Sequence, residues 1–247
     1  MPWRIALFLA GFAVLARAED KPRDRTFEDL WRERGAAVLA PAQAPIDVLV
    51  IGASHTVGPF GEQLVLGLSS PRLAEFAVCG ASLGWWIEGR GELPCGYVFR
   101  EPGKPVDRGP YGSIAPHRQA ALASALASAP AVVVIALGAN KGADMVAEGS
   151  RLLAKVPPTS RCVWVSPPPV PAKNCADYFR PRFPALLRKM EEKAGRRCEL
   201  IETDRYLHES YESGCHFSND CGKEWGRKVA LEIKGTPEPP GACAKPR

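Results

Sequence analysis

The seven residues Ala131-Val132-Val133-Val134-Ile135-Ala136-Leu137 form an unbroken apolar run, four of them β-branched, closed by Gly138-Ala139-Asn140. Such a run reads as a strand with no solvent-facing side. A strand of that kind needs cover on both faces, which is the setting of a parallel sheet between layers of helices. Shorter runs repeat the pattern: Ile46–Ile51, Glu75–Val78, Arg161–Ser166 and Cys198–Glu202 are predicted as four further strands. Helices are expected between them, at Glu62–Leu68, His117–Ala127, Met145–Leu153 and Pro184–Ala194. A last helix opens at Ser218-Asn219-Asp220, good N-cap residues, and places Trp225, Val229 and Ile233 four apart on one side. Strand and helix in alternation predict an α/β fold.

With 247 residues, 46% of them hydrophobic, the chain supports one sizeable domain, and its composition is neither disordered nor collagen-like. The net charge of +5 is spread along the chain with no basic block, which argues against nucleic acid as a partner. Residues 1–18 read as a signal peptide: Arg4, an apolar run from Ile5 to Leu15, then Ala16-Arg17-Ala18 as a small-x-small cleavage site. Eleven apolar residues are about half of the ~20 that a spanning helix needs, so the mature chain is expected to carry no membrane span. Export to the periplasm or the exterior is expected, after cleavage near Ala18. Residues 19–45 form a lead-in with a helix around Phe27–Leu39, residues 46–234 the domain, and 235–247 a Pro- and Gly-rich tail. Within the domain, residues 84–116 read as one long irregular insert, a functional loop or lid.

The residues after each strand carry the chemistry, because parallel α/β sheets bind ligands outside the carboxyl ends of their strands. Gly52-Ala53-Ser54-His55 comes after the first strand, Cys79-Gly80-Ala81-Ser82 after the second and Gly138-Ala139-Asn140 after the third, while Gly214-Cys215-His216-Phe217 precedes the last helix. A Ser, a Gly, an Asn and a His arrive in that order. The order resembles the SGNH (GDSL-type) hydrolase superfamily, over essentially the whole domain. Ala53 stands where the family's first block has Asp, and Ser213 stands at the Asp of its Asp-x-x-His block. The resemblance implies a flavodoxin-like three-layer α/β/α sandwich with a five-stranded parallel sheet in the order 2-1-3-4-5.

It also implies a serine esterase that needs no metal and no organic cofactor. Ser54 is the candidate nucleophile and His216 the base; the N–H groups of Ser54 and Gly80 and the amide of Asn140 would form the oxyanion hole. With Ser213 in the acid's place, Glu212, Asp220 and Asp204 are the candidates to orient the imidazole, a backbone carbonyl being the alternative. His55, next to the nucleophile, is expected to point elsewhere. Trp85 and Trp86, just after Gly80, are candidates either for substrate contact, by stacking on a sugar, or for the core. The expected substrate is a small acyl ester, such as an O-acetyl group on a glycan. An O-acyltransferase using the same serine and a non-catalytic glycan-binding module on the same scaffold are the rival readings.

Eight cysteines in an exported chain predict disulfides, and the absence of a Cys-x-x-Cys pair or a second His at ligand spacing near His216 argues against zinc. Cys162 and Cys198 open neighbouring strands and should pair. Cys79 and Cys95 would pin the insert to the second strand, and Cys215 with Cys221 is favoured for a third bridge.

Overall fold

The computed structural model describes residues 45–236, except 90–92, 94, 141, 169–182, 208–210, 214–215 and 218, and only the backbone of 211–213. The predicted leader, lead-in helix and tail lie outside the described residues. Five parallel strands form the centre: β1 (Val48–Gly52), β2 (Leu73–Val78), β5 (Val132–Ala136), β6 (Arg161–Val165) and β7 (Glu199–Ile201). They run in the order β2-β1-β5-β6-β7, which is the predicted 2-1-3-4-5. The sheet is larger than expected. Two antiparallel strands, β3 (Tyr97–Arg100) and β4 (Asp107–Gly109), extend it beyond β2 to seven, in the order β4-β3-β2-β1-β5-β6-β7. The predicted irregular insert therefore holds two strands and a helix, Leu83–Glu88. Gly and Pro around the four-residue run Tyr97-Val98-Phe99-Arg100 hide its strand character, and pairing with the β2 edge supplies what local propensity lacks.

The two-residue period of the strands sorts their side chains onto the two faces. On one face lie Leu49, Ile51, Val133, Ile135, Cys162 and Trp164; on the other lie Val50, Val134, Val163 and Val165. In chain order the helices are α1 (Ser54–Val57), α2 (Pro59–Leu68), α3 (Leu83–Glu88), α4 (Gln119–Ala127), α5 (Met145–Lys155), α6 (Phe183–Ala194) and α7 (Asn219–Ile233). The first face is covered by α3 to α6 and the second by α2 and α7. Helix α2 begins three residues before the predicted Glu62, because Pro59 follows the extended Gly58 at the first helical position, where its missing N–H costs nothing. Among the described residues no helix is long and apolar enough to cross a membrane.

Two of the expected disulfides are present: Cys79 bonds Cys95 and Cys162 bonds Cys198, with Cα atoms 5.4 and 4.6 Å apart. Cys221 is buried in the first turn of α7, whereas Cys175, Cys215 and Cys243 lie outside the described residues.

The crossing of α2 and α7 is unusually close, and glycine allows it. A Cβ on Gly226 would stand 2.2 Å from the carbonyl oxygen of Phe60 and 2.9 Å from the Leu64 nitrogen, and one on Gly67 would stand 2.5 Å from the Cβ of Ala230. Gly222, Gly226 and Ala230 recur every four residues along α7, which lines them up on one face. Between them Trp225 stacks on Phe60, with ring centroids 3.7 Å apart. The start of α7 is thereby held against the segment that comes after β1. In an open helix interior Gly→Ala stabilises by ~1 kcal/mol. Here the neighbour is backbone and cannot step aside, so Gly226→Ala should instead destabilise by about 1–3 kcal/mol, the usual cost of overpacking. Urea denaturation of the two proteins checks the sign.

Candidate active site

Strand β1 delivers the candidate nucleophile. After Gly52 the chain turns sharply: a Cβ there would lie 2.0 Å from Oγ1 of the buried Thr56. The carbonyl of Ala53 accepts from the N–H groups of Thr56 and Val57, closing a single helical turn that Ser54 opens. Ser54 stands at the carboxyl end of the sheet and lines a cavity of ≈ 270 Å³. His216, far away in sequence, lines the same cavity. It belongs to a short hairpin, β8 (Tyr211–Ser213) against β9 (His216–Phe217), that leads into α7. The walls are largely apolar: Val57, Phe60, Phe217 and Trp225, with the Cys79 end of β2 and Gly96 beside them. Tyr111, 90% exposed, stands at the mouth.

The expectation for His55 is overturned. Its ring lines the cavity too, 5.1 Å from the His216 ring between centroids, and packs against Phe217 (5.8 Å) and edge-on against Trp225 (5.5 Å). Consecutive residues of a helix are only about 100° apart, so both first residues of a one-turn helix can adjoin one concave site. Burial, helped by the nearby His216, holds the His55 pKa down to about 3. Desolvation of its ring where it meets His55 also lowers the His216 pKa from the usual imidazole value, although the residue as a whole is exposed. Both rings are therefore neutral at neutral pH.

The loops after β2 and β5 meet next to the Cys79 edge of the cavity, though neither Gly80 nor Asn140 is among its lining residues. Gly80 adopts a left-handed backbone (φ +78°) that favours glycine. A Cβ there would also come 3.3 Å from Leu93 and 3.7 Å from the Cys95 sulfur, so the disulfide packs behind this turn. Nδ2 of Asn140 donates to the carbonyl of Ala81 at 3.0 Å, which links the loop after β5 to the loop after β2. An amide carries two N–H groups, so one more is left for another acceptor. Gly138 is required where it is: φ is +109° and a Cβ would stand 2.4 Å from the Phe183 ring.

Of the acid candidates, Asp220 is exposed in the first turn of α7, and Asp204 is exposed in the 3-10 turn Thr203–Arg205 after β7. Neither lines the cavity, and among the described residues that do, none is a carboxylate. The backbone of Glu212 lies in β8, with its side chain outside the described residues. Ser213 is the cross-strand partner of His216. Trp85 and Trp86 do not line the cavity. They are 3% and 0% exposed, edge-to-face at 4.7 Å, within the core cluster on the sheet face that α3 to α6 cover. This corrects the stacking role for either indole. Tyr111 and Phe217 carry no signal in the sequence beyond their nearness to a loop and to His216. Trp225 is legible there as part of one face of α7.

No protein-family model matches the sequence, and no curated protein matches it. Solved structures do. A carbohydrate acetylesterase family member from Sinorhizobium meliloti matches with 14% identity and a TM-score of 0.49, over 77% of this chain and 99% of that one. The aryl esterase of M. smegmatis matches with 16% identity and a TM-score of 0.45, over 76% and 98%. A GDSL-like lipase from Bacteroides thetaiotaomicron VPI-5482 matches with 13% identity and a TM-score of 0.42, over 85% and 98%. The chain is similar to structures of ester hydrolases.

The His55 environment has a consequence for stability. The unfolded chain takes up a proton on this imidazole near the ordinary histidine value of 6.5, and the folded chain only near 3. Its contribution is therefore fully present above about pH 6.5 and is lost as pH falls toward 3. Glu75 acts with opposite sign: burial, only partly offset by Arg100, pushes its carboxyl up to about 7, so its contribution is full below about 4.5 and is lost as pH rises through 7. Comparing wild type with His55→Gln cancels Glu75. The variant should lose less stability than wild type between pH 7 and pH 4.5, read from urea midpoints.

Proposed function

We propose that the protein is an exported serine ester hydrolase of the SGNH type, with Ser54 as nucleophile and His216 as base. The observation that carries this reading is that the two side chains line one apolar cavity at the carboxyl edge of a parallel sheet. A hydroxyl at a strand-to-helix turn and a neutral imidazole on the same cavity are the two groups that acyl transfer needs. Ser54 Oγ attacks the acyl carbonyl while its proton passes to His216. The oxyanion accepts from the N–H groups of Ser54 and Gly80 and from Asn140 Nδ2. Collapse expels the alcohol, protonated by His216, and leaves an acyl-Ser54. Water, deprotonated by the same imidazole, then releases the acid and restores the serine.

The cavity is just under the ~300 Å³ at which small-molecule sites usually begin, and its walls are aromatic and aliphatic. It suits a short apolar acyl group, an acetyl group on a glycan among them, with the alcohol portion passing Tyr111 toward solvent. The leader-like residues 1–18 and the two disulfides support export. A second reading, a binding module without catalysis, draws on the lack of a carboxylate among the described cavity residues.

Nitrophenyl acetate and butyrate should be hydrolysed well ahead of palmitate. Ser54→Ala should abolish turnover and His216→Ala should nearly do so. Equal, slow hydrolysis by wild type and Ser54→Ala would select the binding module. Since His216 must be neutral to accept the proton, kcat/KM should fall on the acid side through a pKa below 6.5. Ser213→Asp, which places a carboxylate at the cross-strand partner of the base, should keep activity or raise it, and it should not lower it tenfold.

A further inference from the structure

Helix α5 carries a buried carboxylate that the reaction scheme does not use. Glu148 is 7% exposed. Its Oε2 accepts the N–H of Gly84 at 3.0 Å, and its Oε1 accepts those of Ala143 and Asp144 at 3.1 and 3.4 Å. Gly84 sits in the first turn of α3, just after the loop that carries Gly80. Ala143 and Asp144 close the loop that carries Asn140. One carboxyl group thus holds both loops, one oxygen on each.

The backbone is shaped around this group. A Cβ on Gly84 would stand 2.7 Å from Glu148 Oε1, and one on Gly142 would stand 2.0 Å from Oε2. Glycine at both positions is what lets the amides come within hydrogen-bond reach. A second tie crosses between the same two loops, from Asn140 Nδ2 to the Ala81 carbonyl. A cap of α5 alone would not require this, because Asp144 already caps that helix through the N–H of Ala147. Reaching across to Gly84, 64 residues away in sequence, is a different task.

We infer that Glu148 is a positioning residue for the oxyanion hole, setting the distance between the Gly80 N–H and the Asn140 amide from below. This rests on the esterase reading. The donors must be in place before charge develops, since preorganised hydrogen bonds are what lower the barrier. A displacement of about 1 Å at a reacting centre can cost ~10²-fold in rate.

Glu148→Gln is close to isosteric but breaks the symmetry of the clamp. Its carbonyl oxygen still accepts from one loop, while its NH₂ group faces an N–H of the other. The variant should retain its fold by circular dichroism. Its kcat for nitrophenyl acetate, per active site titrated with a Ser54-directed phosphonate, should fall about 10–100-fold, while KM changes less than about threefold. Affinity for a boronic acid, which forms a tetrahedral adduct on the serine, should fall with kcat. A merely structural role would lower the melting temperature and the titratable fraction and leave kcat per site and boronate affinity at wild-type values; that outcome overturns the inference. Glu148→Asp keeps the charge but is one methylene shorter and cannot span both loops. It should show the same split, and it decides the matter if the Gln protein does not fold. Absence of Ser54-dependent turnover in wild type is a separate outcome and overturns the esterase reading and this inference together.

Discussion

The geometry of the site depends on how closely α2 and α7 approach. Ser54 and His216 are 162 positions apart in sequence and belong to no common element. They meet at one cavity because α7, which starts two residues after Phe217, lies on α2, which starts two residues after Val57. Gly226 against the Phe60 carbonyl, Gly67 against Ala230 and the Trp225–Phe60 stack set that distance. Trp225 and Phe60 are at once the packing of this crossing and walls of the cavity. A side chain larger than hydrogen at position 226 would move Phe60, Trp225 and the start of α7 together.

Within this frame the polar groups are few and each is held by a short-range device. Gly80 is held by its left-handed turn and the disulfide behind it, and Asn140 by its bond to Ala81. The exposed His216 ring faces a second imidazole, that of His55, which is itself packed against Phe217 and Trp225. Partial desolvation lowers the His216 pKa even so, and this favours its neutral form. Two neutral rings side by side also avoid the repulsion that two imidazolium ions would suffer at this separation.

Much of this is legible in the chain. The seven-residue run at 131–137, and the shorter runs around it, carry the parallel core, because a strand buried on both faces needs helices on both sides; the strand order is what the resemblance implies. The cysteines that open β6 and precede β7 are legible as a pair, since neighbouring parallel strands bring their starts together. The antiparallel extension is not: β3 has four residues and β4 three, set among Gly and Pro, and their stability comes from the edge of β2, not from their own pattern. At the site, the order of Ser54, Gly80, Asn140 and His216 is readable at strand and helix ends. The place of His55 is not readable, because adjacency implies opposite directions only in a strand, and a one-turn helix does not obey that rule. The Trp85–Trp86 pair looks available in sequence, and its burial emerges only from how α3 packs. Glu148 looks like an ordinary helix-face glutamate, since its partners include a backbone amide far away in sequence.

The central claim is that Ser54 is an activated nucleophile, and covalent labelling tests it most directly. The wild-type protein is incubated with a fluorophosphonate at neutral pH, and the adduct is located by mass spectrometry of its peptides. The account predicts a single phosphonyl group on Ser54, added more slowly as pH falls through the His216 titration and lost with His216→Ala. No adduct, or one on another serine with Ser54 unmodified, would contradict it.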